Sequence, residues 1–124
     1  MNMISRAPDF IATLRYYTTE EGGRRTPANS GYRPQIKFDF EEMQTSGQQV
    51  FIDKEVVYPG DTVKAEITMG SPSIFKGRLL EGMAFEFREG ATVIGTGMVI
   101  EILNGELKKK VPARDLLPRV SGNG

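Results

Sequence analysis

The sequence predicts an all-β domain built of about six short antiparallel strands, closed into a barrel or stacked as a sandwich. Three observations carry this. Apolar and polar residues alternate with a period of two; the apolar runs are short and separated by clusters of Gly, Pro, Asn and Ser; and no window has the 3.6-residue period of an amphipathic helix. A chain of 124 residues has room for one domain with a real core and not for two.

The first strand is expected at residues 10–18. The second, residues 35–41, sets Ile36, Phe38 and Phe40 inward between Gln35, Lys37, Asp39 and Glu41. A third is expected at residues 48–53. In the fourth, Val63, Ala65 and Ile67 alternate with Lys64, Glu66 and Thr68; in the fifth, Met83, Phe85 and Phe87 alternate with Ala84, Glu86 and Arg88. Strict alternation means one packed face and one wet face, as in antiparallel sheets. The sixth strand, residues 92–103, is apolar on both faces for part of its length, which predicts partial cover on its outer side. Turns are expected at 22–31, 45–47, 58–61, 70–77 and 88–91. Residues 1–9 are expected to be an N-terminal extension, 10–103 the domain, and 104–124 a flexible basic tail. Internal repeats are absent from the sequence.

Composition excludes whole classes of chemistry. With no cysteine and no histidine, disulfides, thiol nucleophiles, cysteine zinc sites and imidazole acid–base catalysis are ruled out. No apolar run has the length of a signal peptide core or a membrane span, so a cytoplasmic protein without a membrane partner is expected. The net charge is zero but unevenly spread: +3 over residues 1–38, −7 over 39–106 and +4 over 107–124. Overall neutrality argues against a general polyanion binder, and DNA is not an expected partner. A basic face could form only where the two basic ends meet.

Two runs are specific in wording and order: residues 20–38, EEGGRRTPANSGYRPQIKF, and residues 87–99, FREGATVIGTGMV. Their residues Glu20, Glu21, Gly22, Gly23, Arg24, Thr26 and Pro27, then Tyr32, Arg33, Pro34 and Gln35, then Arg88, Glu89, Gly90, Gly95 and Gly97 resemble the third, β-barrel domain of the elongation factor Tu family. A Pro-Gly-Asp at Pro59, Gly60 and Asp61 lies between them, as in the family. The resemblance implies a six-stranded closed antiparallel barrel, here without the GTPase that normally works with it. It further implies that the loop of Gly22, Gly23, Arg24 and Thr26 faces a GTPase domain. Arg33, Gln35, Arg88, Glu89 and Gly90 would then contact aminoacyl-tRNA or a protein partner. Glu89, being a carboxylate, would suit a 2′-hydroxyl donor rather than phosphate.

The chain also departs from the family. Arg25 stands where the family usually has His, REGG reads REGA, and Thr92 stands where an Arg follows. The segment after the aromatic strand is longer and adds Glu41 and Glu42 to Asp39; acids beside a phosphate path weaken RNA binding. The loop at residues 72–78 carries an apparent insertion. The fold signature is thus better kept than the RNA-contact signature, and a protein partner is favoured slightly over tRNA.

Other readings of single motifs are bland. Gly95-Thr96-Gly97 lies within a strand and lacks the third glycine and helix of a dinucleotide site, so a bulge or close packing accounts for it. No GxxxxGK[ST] phosphate loop occurs, which excludes GTP hydrolysis in the family's manner. The carboxylate pairs Asp53 with Glu55 and Glu41 with Glu42 have no base, nucleophile or metal set opposite them. No catalytic residue, metal or cofactor is therefore expected, and a carboxylate hydrolase is the weakest reading. The expected function is a non-catalytic, translation-related binding module; the alternative is an interaction or scaffold barrel with no role in translation. An apolar patch left where the family packs other domains would allow self-association.

Overall fold

The computed structural model describes residues 6–110 of the chain. Its strands are β1 (Phe10–Tyr16), β2 (Ala28–Asn29), β3 (Gln35–Phe38), β4 (Thr45–Phe51), β5 (Val56–Val57), β6 (Thr62–Met69), β7 (Ala84–Glu89) and β8 (Thr92–Ile102). Six of them close a barrel in the order β1-β6-β4-β3-β7-β8, with every pairing antiparallel and β8 returning to β1. Closure removes the exposed sheet edges that an open six-stranded sheet would present. Of the two architectures the alternation allows, this is the barrel, as the family resemblance implies.

The period-two pattern places the core. Phe10, Ala12, Leu14 and Tyr16 of β1, Ile36 and Phe38 of β3, Val63, Ala65 and Ile67 of β6, and Phe85 and Phe87 of β7 are all buried. Space inside is tight, and two glycines of β8 make it. Gly97 lies opposite Phe85 and Gly95 opposite Phe87; an added Cβ at either would stand 2.2 Å from the ring tip of that phenylalanine. The GTG motif is therefore a packing device: glycine leaves the volume that the cross-strand aromatic fills. The ladder also skips Ile94, which bulges beside Gly95.

Four expectations about the strands change, the first being the turn expected at 45–47, which is instead the start of β4. The strand expected over residues 35–41 ends at Phe38, and Phe40 is 42% exposed, leaning on Phe38 and Phe75 outside the barrel. The outer side of β8 is open rather than covered, with Met98 and Ile100 exposed. The turn region 22–31 contains β2, which pairs with β5 in a small two-stranded sheet against the barrel end. Two-residue strands are too short for their periodicity to be read from sequence.

Two segments flanking the expected domain, residues 10–103, pack against the barrel. Asp9, assigned to an N-terminal extension, is completely buried. Its carboxylate accepts from the Met69 N–H at 2.7 Å, from Asn104 Nδ2 at 3.0 Å and from the Arg6 guanidinium at 2.9 and 2.7 Å. At the other terminus the chain stays packed past Leu103. A short 3-10 turn at Gly105–Leu107 buries Leu107, and Leu79 N–H donates to the Leu107 carbonyl at 2.8 Å while Lys109 N–H donates to that of Leu79 at 2.8 Å. Of the tail expected to be flexible from residue 104, the part as far as Lys109 is hydrogen-bonded to the barrel end; residues 111–124 lie outside the described residues.

Candidate partner-binding rim

The loop after β1, the segment leading into β3 and the β7–β8 hairpin meet at one end of the barrel. The loop closes on itself: Gly23 N–H donates to the Thr18 carbonyl at 2.9 Å and Glu21 N–H to the same oxygen at 3.1 Å. Gly22 has φ +97°, and a Cβ on Gly23 would stand 2.3 Å from the Tyr17 carbonyl oxygen, so both positions require glycine for different reasons. Arg15 pins the loop from below with two bonds to Glu21, at 3.0 and 2.7 Å.

Arg24 then turns back over the barrel. Its guanidinium donates to the Glu89 carboxylate, to Thr26 Oγ1 and the Thr26 carbonyl at 3.2 Å each, and to the Pro27 carbonyl at 3.3 Å. It also lies 4.5 Å above the centre of the Tyr32 ring. The Tyr32 hydroxyl donates to the same Glu89 oxygen. Burial, and then the hydrogen bond to Glu89, push the Tyr32 phenol up from its ordinary range, so it remains a donor at neutral pH. Arg24, Tyr32 and Glu89 thus form one cluster joining the two sequence runs that carried the resemblance.

The remaining predicted residues surround it. Gln35 lies directly across the ladder from Arg88, and Lys37 from Glu86, so the outer surface of β3 and β7 alternates polar and charged groups. Arg88 is held by Glu86 at 2.5 Å on its own strand. Arg88 and Glu89 belong to β7 rather than to the turn; the two-residue connection is Gly90-Ala91, with Gly90 at φ +60° as in a type II′ hairpin. Arg33 and Thr26 are exposed, and Arg33 makes no ion pair among the described residues. The acid expected to disturb an RNA path is partly withdrawn: Glu41 pairs with Arg78 at 2.6 Å, while Asp39 and Glu42 are exposed. Tyr32 was read only as a motif residue in the sequence. Its partnership with Glu89 spans 57 positions and leaves no periodic trace.

The Arg24–Glu89 pair is half exposed on the glutamate side, 44% against 18% for the arginine, so its contribution is modest. Arg24→Ala and Glu89→Ala are each expected to lower stability by about 1 kcal/mol, and the double variant by clearly less than their sum. Urea denaturation of the four proteins checks this; strict additivity would mean that the pair does not form in solution.

The described residues form a closed six-stranded antiparallel barrel with this rim at one end. Among the described residues no group of three or more Asp or Glu side chains is placed to hold a metal, and no helix is long and apolar enough to cross a membrane. Residues 3–103 match the family model of the elongation factor Tu C-terminal domain. The chain belongs to that family and is a translation-factor-like β-barrel domain.

Proposed function

We propose that this barrel is a non-catalytic binding module of the translation apparatus that docks a protein partner, a GTPase domain of translation-factor type, on the rim formed by residues 20–27, Arg33, Gln35 and the β7–β8 hairpin. The observation that carries the reading is the Arg24–Tyr32–Glu89 cluster, which fixes loop and hairpin as one surface and satisfies their charges internally. With Arg24 matched by Glu89 and Arg88 by Glu86, the rim cations without an ion pair among the described residues are the exposed Arg25 and Arg33, few for tracking a phosphate backbone. A polar surface with paired charges and fixed backbone suits a protein interface instead. Glu89 here positions the loop and holds its carboxylate toward Arg24 and Tyr32, a different role from the 2′-hydroxyl contact implied by the resemblance.

Calorimetric titration with the isolated GTPase domain of elongation factor Tu, and separately with aminoacyl-tRNA at two salt concentrations, tests the proposal. Arg33→Glu and Gln35→Ala leave the cluster intact and are expected to weaken GTPase-domain binding about tenfold, or roughly 1.4 kcal/mol. Salt-dependent tRNA binding abolished by the same substitutions would overturn it in favour of RNA at this rim.

A further inference from the structure

The opposite end of the barrel carries a second surface that neither the family match nor the rim accounts for. Lys76, Gly77, Gly105, Glu106 and Lys108 to Lys110 line an open cavity of about 730 Å³. A neighbouring hollow of about 300 Å³ shares Gly77 and Lys109 with it and is walled by Phe40, Arg78 and Met83. The two hollows adjoin at those shared residues and are treated as one groove. It is assembled from the loop at residues 72–78 and the packed segment 104–109, the latter beyond the residues matched to the family.

Its chemistry is of two kinds. Lys76, Lys109 and Lys110 are exposed and make no ion pair among the described residues, and Lys108 reaches Glu81 only at 3.9 Å; Glu106 is the one acid lining the larger hollow, while the exposed Asp39 and Glu42 lie close to Phe40 in the chain, at the other. At the other end an aromatic platform stands in solvent. Phe40 is 42% exposed, and the Arg78 guanidinium lies 4.9 Å from its ring centre, held there by Glu41 and the Ile74 carbonyl. Exposed lysines beside an Arg–aromatic pair are the kind of groups that bind single strands: phosphates meet the cations while a base stacks on the pair.

We propose that this groove binds a short stretch of single-stranded RNA, with Lys76, Lys109 and Lys110 on successive phosphates and one base stacked on the Phe40–Arg78 pair. The site is independent of the protein partner proposed for the rim. Three neutralised phosphates on a single strand give a salt slope of about −2, so affinity should fall about 20-fold between 50 and 200 mM salt.

The test is fluorescence anisotropy of a labelled 12-residue oligouridine with the full chain at those two salt concentrations. The Lys76→Ala, Lys109→Ala, Lys110→Ala triple variant should lose most of the binding and its salt dependence. Phe40→Ala should weaken binding at least about fivefold while keeping the salt slope. Arg33→Glu, at the other end, should change neither. Matching thermal melts would show that the variants fold. Absence of binding at 50 mM salt overturns the proposal, as does a triple variant that binds like the wild type. Equal competition by inorganic polyphosphate together with an indifferent Phe40→Ala would also overturn it, by reducing the groove to a general anion patch.

Discussion

Asp9→Ala is expected to lower the free energy of unfolding by about 3 kcal/mol, a fall in Tm of roughly 15 °C for a domain of this size. The residue is completely buried, and its carboxylate is the shared acceptor for three donors from separate parts of the chain: the Met69 N–H at the end of β6, the Asn104 amide after β8, and Arg6 before β1. Its backbone repeats the link, donating to Ile67 and accepting from Leu103 and Asn104. Alanine keeps the backbone bonds but leaves the Met69 N–H and the Asn104 amide without their partner, and unpaired buried donors are costly. Burial by itself would push the Asp9 carboxyl up, but the bonds from Arg6, Asn104 and Met69 outweigh it and hold the group below the ordinary carboxylate range. A carboxyl that is low in the folded state and ordinary in the unfolded one stabilises the fold at every pH above about 3.9. That contribution disappears as pH falls through the native value. The stability gap between wild type and Asp9→Asn should therefore be constant near neutrality and narrow below about pH 4. Chemical denaturation across pH measures it; a gap that widens on acidification would contradict the assignment.

Gly95→Ala is expected to cost about 3 kcal/mol, the upper end of the ordinary penalty for overpacking. The new methyl would stand 2.2 Å from the Phe87 ring and 2.6 Å from the Arg15 carbonyl oxygen. The ring could turn aside, but the carbonyl belongs to the paired backbone of β1, so the methyl cannot be accommodated by a rotamer change alone. Gly97 offers a comparison, because its closest neighbours are all atoms of the Phe85 ring. Gly97→Ala combined with Phe85→Leu should recover much of the loss at 97, whereas Gly95→Ala combined with Phe87→Leu should recover little. Equal recovery at both sites would show that the backbone contact does not limit position 95. Thermal or urea unfolding of the set decides between these.

Much of the barrel was legible because its strands are half-buried, and half-burial writes a period of two into the sequence. Ile36 and Phe38, Val63, Ala65 and Ile67, and Phe85 and Phe87 point inward as the alternation predicts. Phe40 continues the same alternation yet lies outside, because the chain turns after Phe38 and the ring is taken up by Phe75 and Arg78, partners supplied 35 or more positions away. Asp9 and Leu107 were hidden for a related reason. An acid is expected at the surface, and a lone leucine in a charged stretch has no pattern to place it. Each is buried by contacts that only the closed barrel creates. The rim follows the same division. Its residues were marked by the resemblance, and the glycines by turn chemistry. The Arg24–Tyr32–Glu89 cluster is a long-range product of the fold, and it changes the reading of Arg24 and Glu89 from expected contact groups to groups that tie the loop to the hairpin.

The most direct test of that surface is amide chemical-shift mapping of the ¹⁵N-labelled protein as the elongation factor Tu GTPase domain is added. The account predicts perturbations concentrated in residues 20–27, 32–35 and 88–91, diminished in Arg33→Glu. Perturbations centred on the Lys76–Lys109 groove or spread over β8, or none at millimolar GTPase domain, would contradict the assignment of the rim as the partner site.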